Sequence, residues 1–252
     1  MLLTGLARDW PLFWALPLQG LTGLIVITAL WRLQWSRLRD LTDMSVWAAT
    51  SLACALLWRL SASIEPGLHF HLFGTSLLTL MFGFRYMLFG GLIGLGFHVA
   101  AGWIELSEVL WPTLFVLILP GAITHGLWRL SVRWLPPNFF VYSWVVSFAG
   151  VSVAVAVTSL CVTLVLGSSG LFSFQYLLDY FLPYSLLQVF PEGFLTGMLM
   201  TLLVVFKPTW VATFHDPFYL NHRAPQDAHR RPKRAQPPTQ TTDQPGGPPD
   251  DL

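Results

Sequence analysis

Four side chains in this sequence have the chemistry to hold a cation: His69, His71, His98 and Glu192. Imidazole nitrogens bind nickel, copper, zinc and cobalt, and a carboxylate adds compensating charge. His69 and His71 are one residue apart. On an extended backbone both rings face one side, whereas on a helix they diverge by about 200°. The pair suits either a metal-binding entry segment or two histidines bonded to lipid headgroups and loop carbonyls. Gly90, Gly94, His98 and Gly102 recur every four residues and form one stripe of small residues broken by a histidine. Such a stripe brings helices close, and an imidazole set into it needs a ligand or a hydrogen bond to a neighbour. Glu192 is the only acid well inside an apolar run. Burying it costs heavily unless it is paired, coordinates a cation, or is protonated and bonded to a carbonyl freed near Pro191.

Gly74, Thr75 and Ser76 follow the histidine pair. Their small polar side chains suit a helix start or the lining of a passage. Met198 and Met200 are soft ligands or packing groups, and Cys54 and Cys161 read as small hydrophobes within apolar runs. The sequence has no nucleotide-binding loop, catalytic-triad order, zinc-protease helix or nucleic-acid motif. Catalytic residues are therefore not expected, and neither is a tightly bound cofactor.

The elements that position these residues are membrane spans. The chain of 252 residues is 54% hydrophobic and only 11% charged, where a soluble domain carries about 25%. Its apolar residues fall in long blocks, which indicates an all-α integral membrane protein rather than a β-barrel. Seven blocks are visible, roughly Pro11 to Leu33, Met44 to Leu60, His69 to Phe84, Tyr86 to Trp103, Val109 to Trp128, Phe139 to Leu166 and Tyr184 to Phe206. The first lacks a basic lead and a cleavage site and reads as a retained span. The third is too short to cross as helix alone, so part of it is expected to be extended, with the change at Gly74. The loop from Gly167 to Tyr180 carries Asp179 and no Lys or Arg. Residues 1–214 form the transmembrane domain. Residues 215–252, rich in proline and charge, read as a disordered tail on the cytoplasmic side.

Charge sets the expected orientation. With the N-terminus outside, only Arg8 and Arg59 of the 14 lysines and arginines fall outside, as the positive-inside rule requires. Glu105, Glu108 and Asp179 also fall outside. His69, His71, His98 and Glu192 then share the outer half, while His125 lies near the inner end of the fifth span. His98 and His125 are thus at different depths, which argues against a haem held between them.

His71-Leu72-Phe73-Gly74-Thr75-Ser76, followed by a glycine-rich span, resembles the membrane permease of cobalt and nickel energy-coupling-factor transporters, the CbiM-like proteins. Phe190-Pro191-Glu192-Gly193-Phe194-Leu195-Thr196-Gly197 is similar to that family's final helix, and the resemblance covers about Leu41 to Trp210. It implies a seven-span substrate-capture component of an ABC-type transporter in a bacterial inner membrane. It further implies an energy-coupling transmembrane partner and ATPase subunits. The family begins Met-His and carries a second histidine two residues after Gly-Thr-Ser. Leu2 and Leu78 stand at those places here, so the chain resembles a divergent branch.

The expected function is uptake of a divalent transition metal of the cobalt or nickel type, with His69, His71, His98 and Glu192 as a substitute ligand set. Gly74, Thr75 and Ser76 would line the passage. The alternative is a non-transport membrane protein of interaction or assembly type, in which the same residues only pack. An intramembrane enzyme using Glu192 and His98 as acid and base has no motif behind it. Lipid is the one certain partner class, and nucleic acid is not expected.

Overall fold

The computed structural model describes residues 10–36, 41–60, 62–65, 68–70 and 74–214, with the side chains of 41, 42, 62–65 and 68–70 left aside. Leu2, the side chain of His69, the whole of His71 and the tail from residue 215 lie outside the described residues.

Among the described residues, seven helices lie along the seven apolar blocks. They are α1 (Leu12–Trp31), α2 (Leu41–Leu57), α3 (Thr75–Phe82), α4 (Phe84–Ala100), α5 (Leu106–Trp134), α6 (Val141–Ser169) and α7 (Phe174–Phe206). Four of these, α1, α5, α6 and α7, are long and apolar enough to cross a membrane alone. Strands β1 (Ala62–Glu65) and β2 (Leu68–Phe70) form an antiparallel pair between α2 and α3. The fold is therefore helical with one small hairpin where the sequence suggests extended chain. Helix α3 has eight residues, about 12 Å of rise, against roughly 30 Å of hydrocarbon. Only together with the hairpin could it occupy a full span.

The last helix corrects an expectation. It begins at Phe174, so most of the anticipated loop from Gly167 to Tyr180 is helical and Asp179 sits in its first turns. Wide π-type turns at Leu177–Phe181, Thr113–Ile118 and Val141–Gly150 extend α7, α5 and α6. Such turns shift the helix face and leave carbonyls off the regular ladder. Glu108, expected in a loop, is buried in the opening turn of α5.

Small residues decide which helices touch. A Cβ at Gly94 would come within 2.9 Å of Ala55 Cβ, and one at Gly90 would collide with Ser51. These contacts seat α4 against α2. Gly102 is not in the stripe: α4 ends at Ala100, and Gly102 takes φ +71° with open space around its Cβ direction. Gly193 and Gly197 lie against Ser152 and Phe148, seating α7 on α6. Helix α5 is the most buried of the long helices and α1 the least. Large apolar side chains such as Phe13, Ile27, Trp144, Phe190 and Phe206 remain exposed on the outside, a surface suited to lipid.

The two ends of the bundle differ in charge. Arg85 donates to the carbonyl of Arg32 (2.9 Å) and Tyr86 to that of Gln34 (2.9 Å), bringing the end of α1 to the α3–α4 turn. Ala212 and Thr213, just beyond α7, reach the same level. Arg32, Arg85, Arg129, Arg133 and Lys207 belong to this end. Arg59, Glu105, Glu108 and Asp179 belong to the other, which carries the hairpin.

Candidate functional site

Gly74 is the point on which the site turns. It has φ +60°, a conformation that costs a residue with a Cβ, and Cys54 Sγ would be 2.7 Å from such an atom. Helix α3 starts at the next residue without a side-chain cap of its own. The first amides of a helix have no partner inside it, and within a membrane no water replaces one. Glu192 provides that partner. Its Oε1 accepts the Gly74 N–H at 2.9 Å, and the residue is 2% exposed. The positive end of α3 thus faces a carboxyl oxygen, a favourable arrangement. The glycines Gly193 and Gly197 pack on α6 and leave Glu192, one position round the helix, to reach α3.

Thr75 and Ser76 do not cap the helix either. The Thr75 hydroxyl donates to the carbonyl of Val116 (2.7 Å), and Ser76 shares a 2.9 Å hydrogen bond with Thr124. The first bond has a cause in the sequence. Pro120 has no N–H to offer the carbonyl four residues back, which is Val116. Thr75 supplies the missing donor from another helix. Cys54 Sγ contacts the Gly74 carbonyl at 3.8 Å. Residues of α2, α5 and α7 therefore meet at three consecutive residues of α3 and its entry.

The other end of α3 is held by the same part of the chain. Its last carbonyls, Met81 and Leu80, accept the Ala212 N–H (2.7 Å) and the Thr213 hydroxyl (2.5 Å). Thr213 has one hydroxyl hydrogen, spent on Leu80, so Tyr142 is the donor in their 2.7 Å contact. Trp128 Nε1 donates to the Thr213 carbonyl at 3.1 Å. Helix α7 and its continuation thus satisfy both termini of α3. Sequence reading stopped α7 at Phe206 and missed this cap, although buried Val211 and Phe214 mark it.

His98 lies in a different setting. It is 1% exposed, on the face of α4 that meets α2. Its Nδ1 lies 2.9 Å from the carbonyl of Gly94. A carbonyl only accepts, so Nδ1 carries the hydrogen, and in the neutral ring Nε2 holds a lone pair. Nε2 is buried without a partner among the described residues. Trp103 (5.2 Å) and Trp58 (6.0 Å) enclose the ring, and Arg59 lies 4.3 Å above Trp103. The reversal after α4 explains the enclosure. Trp103 N–H donates to the His98 carbonyl and Gly102 N–H to that of Val99, both at 2.9 Å, so the chain folds Trp103 back over the imidazole. Trp58 comes from the end of α2, and β1 begins four residues later.

His98 and Glu192 are both buried as expected, but with different partners. Among the described residues no three His, Cys, Asp or Glu side chains converge as a ready metal cluster. His125 lies beside Trp128 (5.2 Å) and Phe84 (6.4 Å), toward the basic end, away from the hairpin end where His98 lies.

Long apolar helices, a half-length helix with its N-terminus inside the bundle, and an apolar outer surface define a multi-pass membrane protein. Residues 10–210 match the family described as CbiM, the cobalt uptake substrate-specific transmembrane region. The match spans most of the chain, and the chain belongs to that family. No curated protein and no solved structure matches it.

Proposed function

We propose that the protein is the substrate-capture subunit of an energy-coupling-factor transporter for a divalent transition metal, cobalt or nickel in type. The observation that carries this reading is His98. Its Nδ1–H is fixed by a backbone carbonyl, and its buried Nε2 has no partner among the described residues. Metal-binding imidazoles are oriented in this way, one nitrogen held by a carbonyl and the other presented to the ion. The family match supports the same substrate class.

His69 and His71 are the proposed companions of His98. The hairpin that contains His69 begins four residues after Trp58, which packs on the His98 ring. Gly74, Thr75 and Ser76 mark the proposed inward passage, and their bonds to Glu192, Val116 and Thr124 would have to exchange for an ion to pass. The proposed orientation has seven spans, the N-terminus outside and the arginine-rich end in the cytoplasm. Energy comes from ATPase subunits joined through a coupling membrane subunit, because this chain has no nucleotide-binding motif. The metal is cargo, and no resident cofactor or catalytic step is proposed.

Calorimetric titration of the purified chain in lipid nanodiscs tests the reading. Cobalt or nickel should bind once per chain. His98→Ala should weaken binding by at least about tenfold, the loss of one inner ligand. Absence of binding by cobalt, nickel, zinc and copper alike would refute the metal reading.

A further inference from the structure

We propose that Glu192 is a positioning residue: through the Gly74 N–H it anchors the start of α3, and so sets where the Gly74–Ser76 passage proposed above stands. The metal part of this inference rests on the capture function proposed above. The anchoring part stands on geometry alone.

An acid buried in a span, in a protein of metal-uptake type, invites assignment as a ligand. Its surroundings give it a structural role. Oε1 is engaged by a main-chain donor at 2.9 Å, and that donor belongs to the residue that turns the chain into α3. In half-helices of transporters the N-terminus commonly faces an anionic substrate. Here the protein's own carboxyl group takes that place, so the helix end is filled before any substrate arrives. The thiol of Cys54 closes the opposite side of Gly74.

The far end of α3 supports the same assignment. Met81 and Leu80 receive Ala212 and Thr213 from beyond α7. One long element therefore clamps both termini of a helix too short to cross alone. Gly193 and Gly197 lock that element onto α6 at the level of Glu192. A ligand would need only to reach an ion. Glu192 instead joins the closely packed α6–α7 pair to the start of α3. Displacing α3 would move the passage without removing a ligand.

Amide exchange across residues 68–80 and cobalt dissociation kinetics, both on the full chain in nanodiscs, distinguish an anchor from a ligand. In Glu192→Ala, exchange around Gly74 should rise about tenfold or more, and cobalt should leave about tenfold faster at unchanged stoichiometry. Glu192→Gln keeps an accepting oxygen at the same reach, so both quantities should stay within about threefold of wild type. Glu192→Asp keeps the acid but shortens the reach, and exchange should rise there too. That variant decides the matter if Glu192→Ala does not fold. Wild-type exchange in the Asp or Ala variant would overturn the anchor. So would loss of cobalt in both Gln and Ala variants with exchange unchanged, the signature of a direct ligand. If wild type binds no cobalt, the capture reading fails, while the exchange measurements still decide the anchor.

Discussion

Glu192 and His98 are buried to the same degree, 2% and 1% exposed, yet the fold treats them in opposite ways. Glu192 sits where α2, α3 and α7 meet and accepts a main-chain N–H from a distant part of the sequence. His98 sits between α2 and α4, uses one nitrogen on its own helix and, among the described residues, leaves the other without a partner beside tryptophan rings. A buried polar group without a partner costs about 1–3 kcal/mol. The first site removes that cost for the chain. The second keeps it, which a ligand would repay. The difference separates a residue that joins two helices from the residue proposed to bind the ion.

The largest effect is expected at the α3 joint. Glu192→Ala leaves the Gly74 amide buried and unsatisfied, so it should destabilise the protein by about 1–3 kcal/mol, seen as a lower midpoint in detergent-mediated unfolding. His98→Ala leaves a cavity and should also lower stability, but its main effect should be the loss of most metal affinity. Retained affinity in His98→Ala would reverse the assignment of roles.

The face between α4 and α2 gives a second test. Gly94→Leu drives a side chain into Ala55 and Trp58. Overpacking of this kind costs about 1–3 kcal/mol, and the displaced Trp58 should also loosen the His98 pocket. Tryptophan fluorescence and cobalt affinity should change together. A stability loss with unaltered affinity would separate the pocket from the packing beneath it.

Thr75→Val has a smaller expected effect. It keeps the shape but removes the donor to Val116, costing about 1–2 kcal/mol. Adding Pro120→Ala restores an N–H to α5 and should recover part of the loss, a coupling that a double-mutant cycle measures. Arg59→Ala is expected to have the least effect, about 0.5–1 kcal/mol from its stacking on Trp103. It sharpens the comparison because it perturbs the His98 pocket without touching the α3 joint.

The helices were legible because apolar blocks and basic flanks are written in composition. The short third block, with Gly74 at its change of conformation, was legible from length alone. Three features were not. The partner of Glu192 is a main-chain amide, and a backbone group leaves no mark on a sequence pattern. The early start of α7 was hidden because Ser173, Gln175 and Asp179 read as loop residues, while Pro183 and Pro191 each fall in the first turn of a regular helical segment, where a missing N–H is tolerated. The cap formed by Ala212 and Thr213 lies past the apolar run that ends at Phe206. Pro120 did carry a usable signal, since a proline at that position names Val116 as a carbonyl in need of a donor. His98 was legible as a polar interruption of a packing face, but the bare Nε2 required knowing that the Gly94 carbonyl takes Nδ1.

The most direct measurement is X-ray absorption of the cobalt-loaded chain, wild type beside His98→Ala. The expected wild-type spectrum shows imidazole scattering around cobalt that survives desalting and falls by one imidazole in the variant. Identical spectra from the two proteins, or no retained cobalt in wild type, would contradict the claim that His98 presents Nε2 to a transported metal.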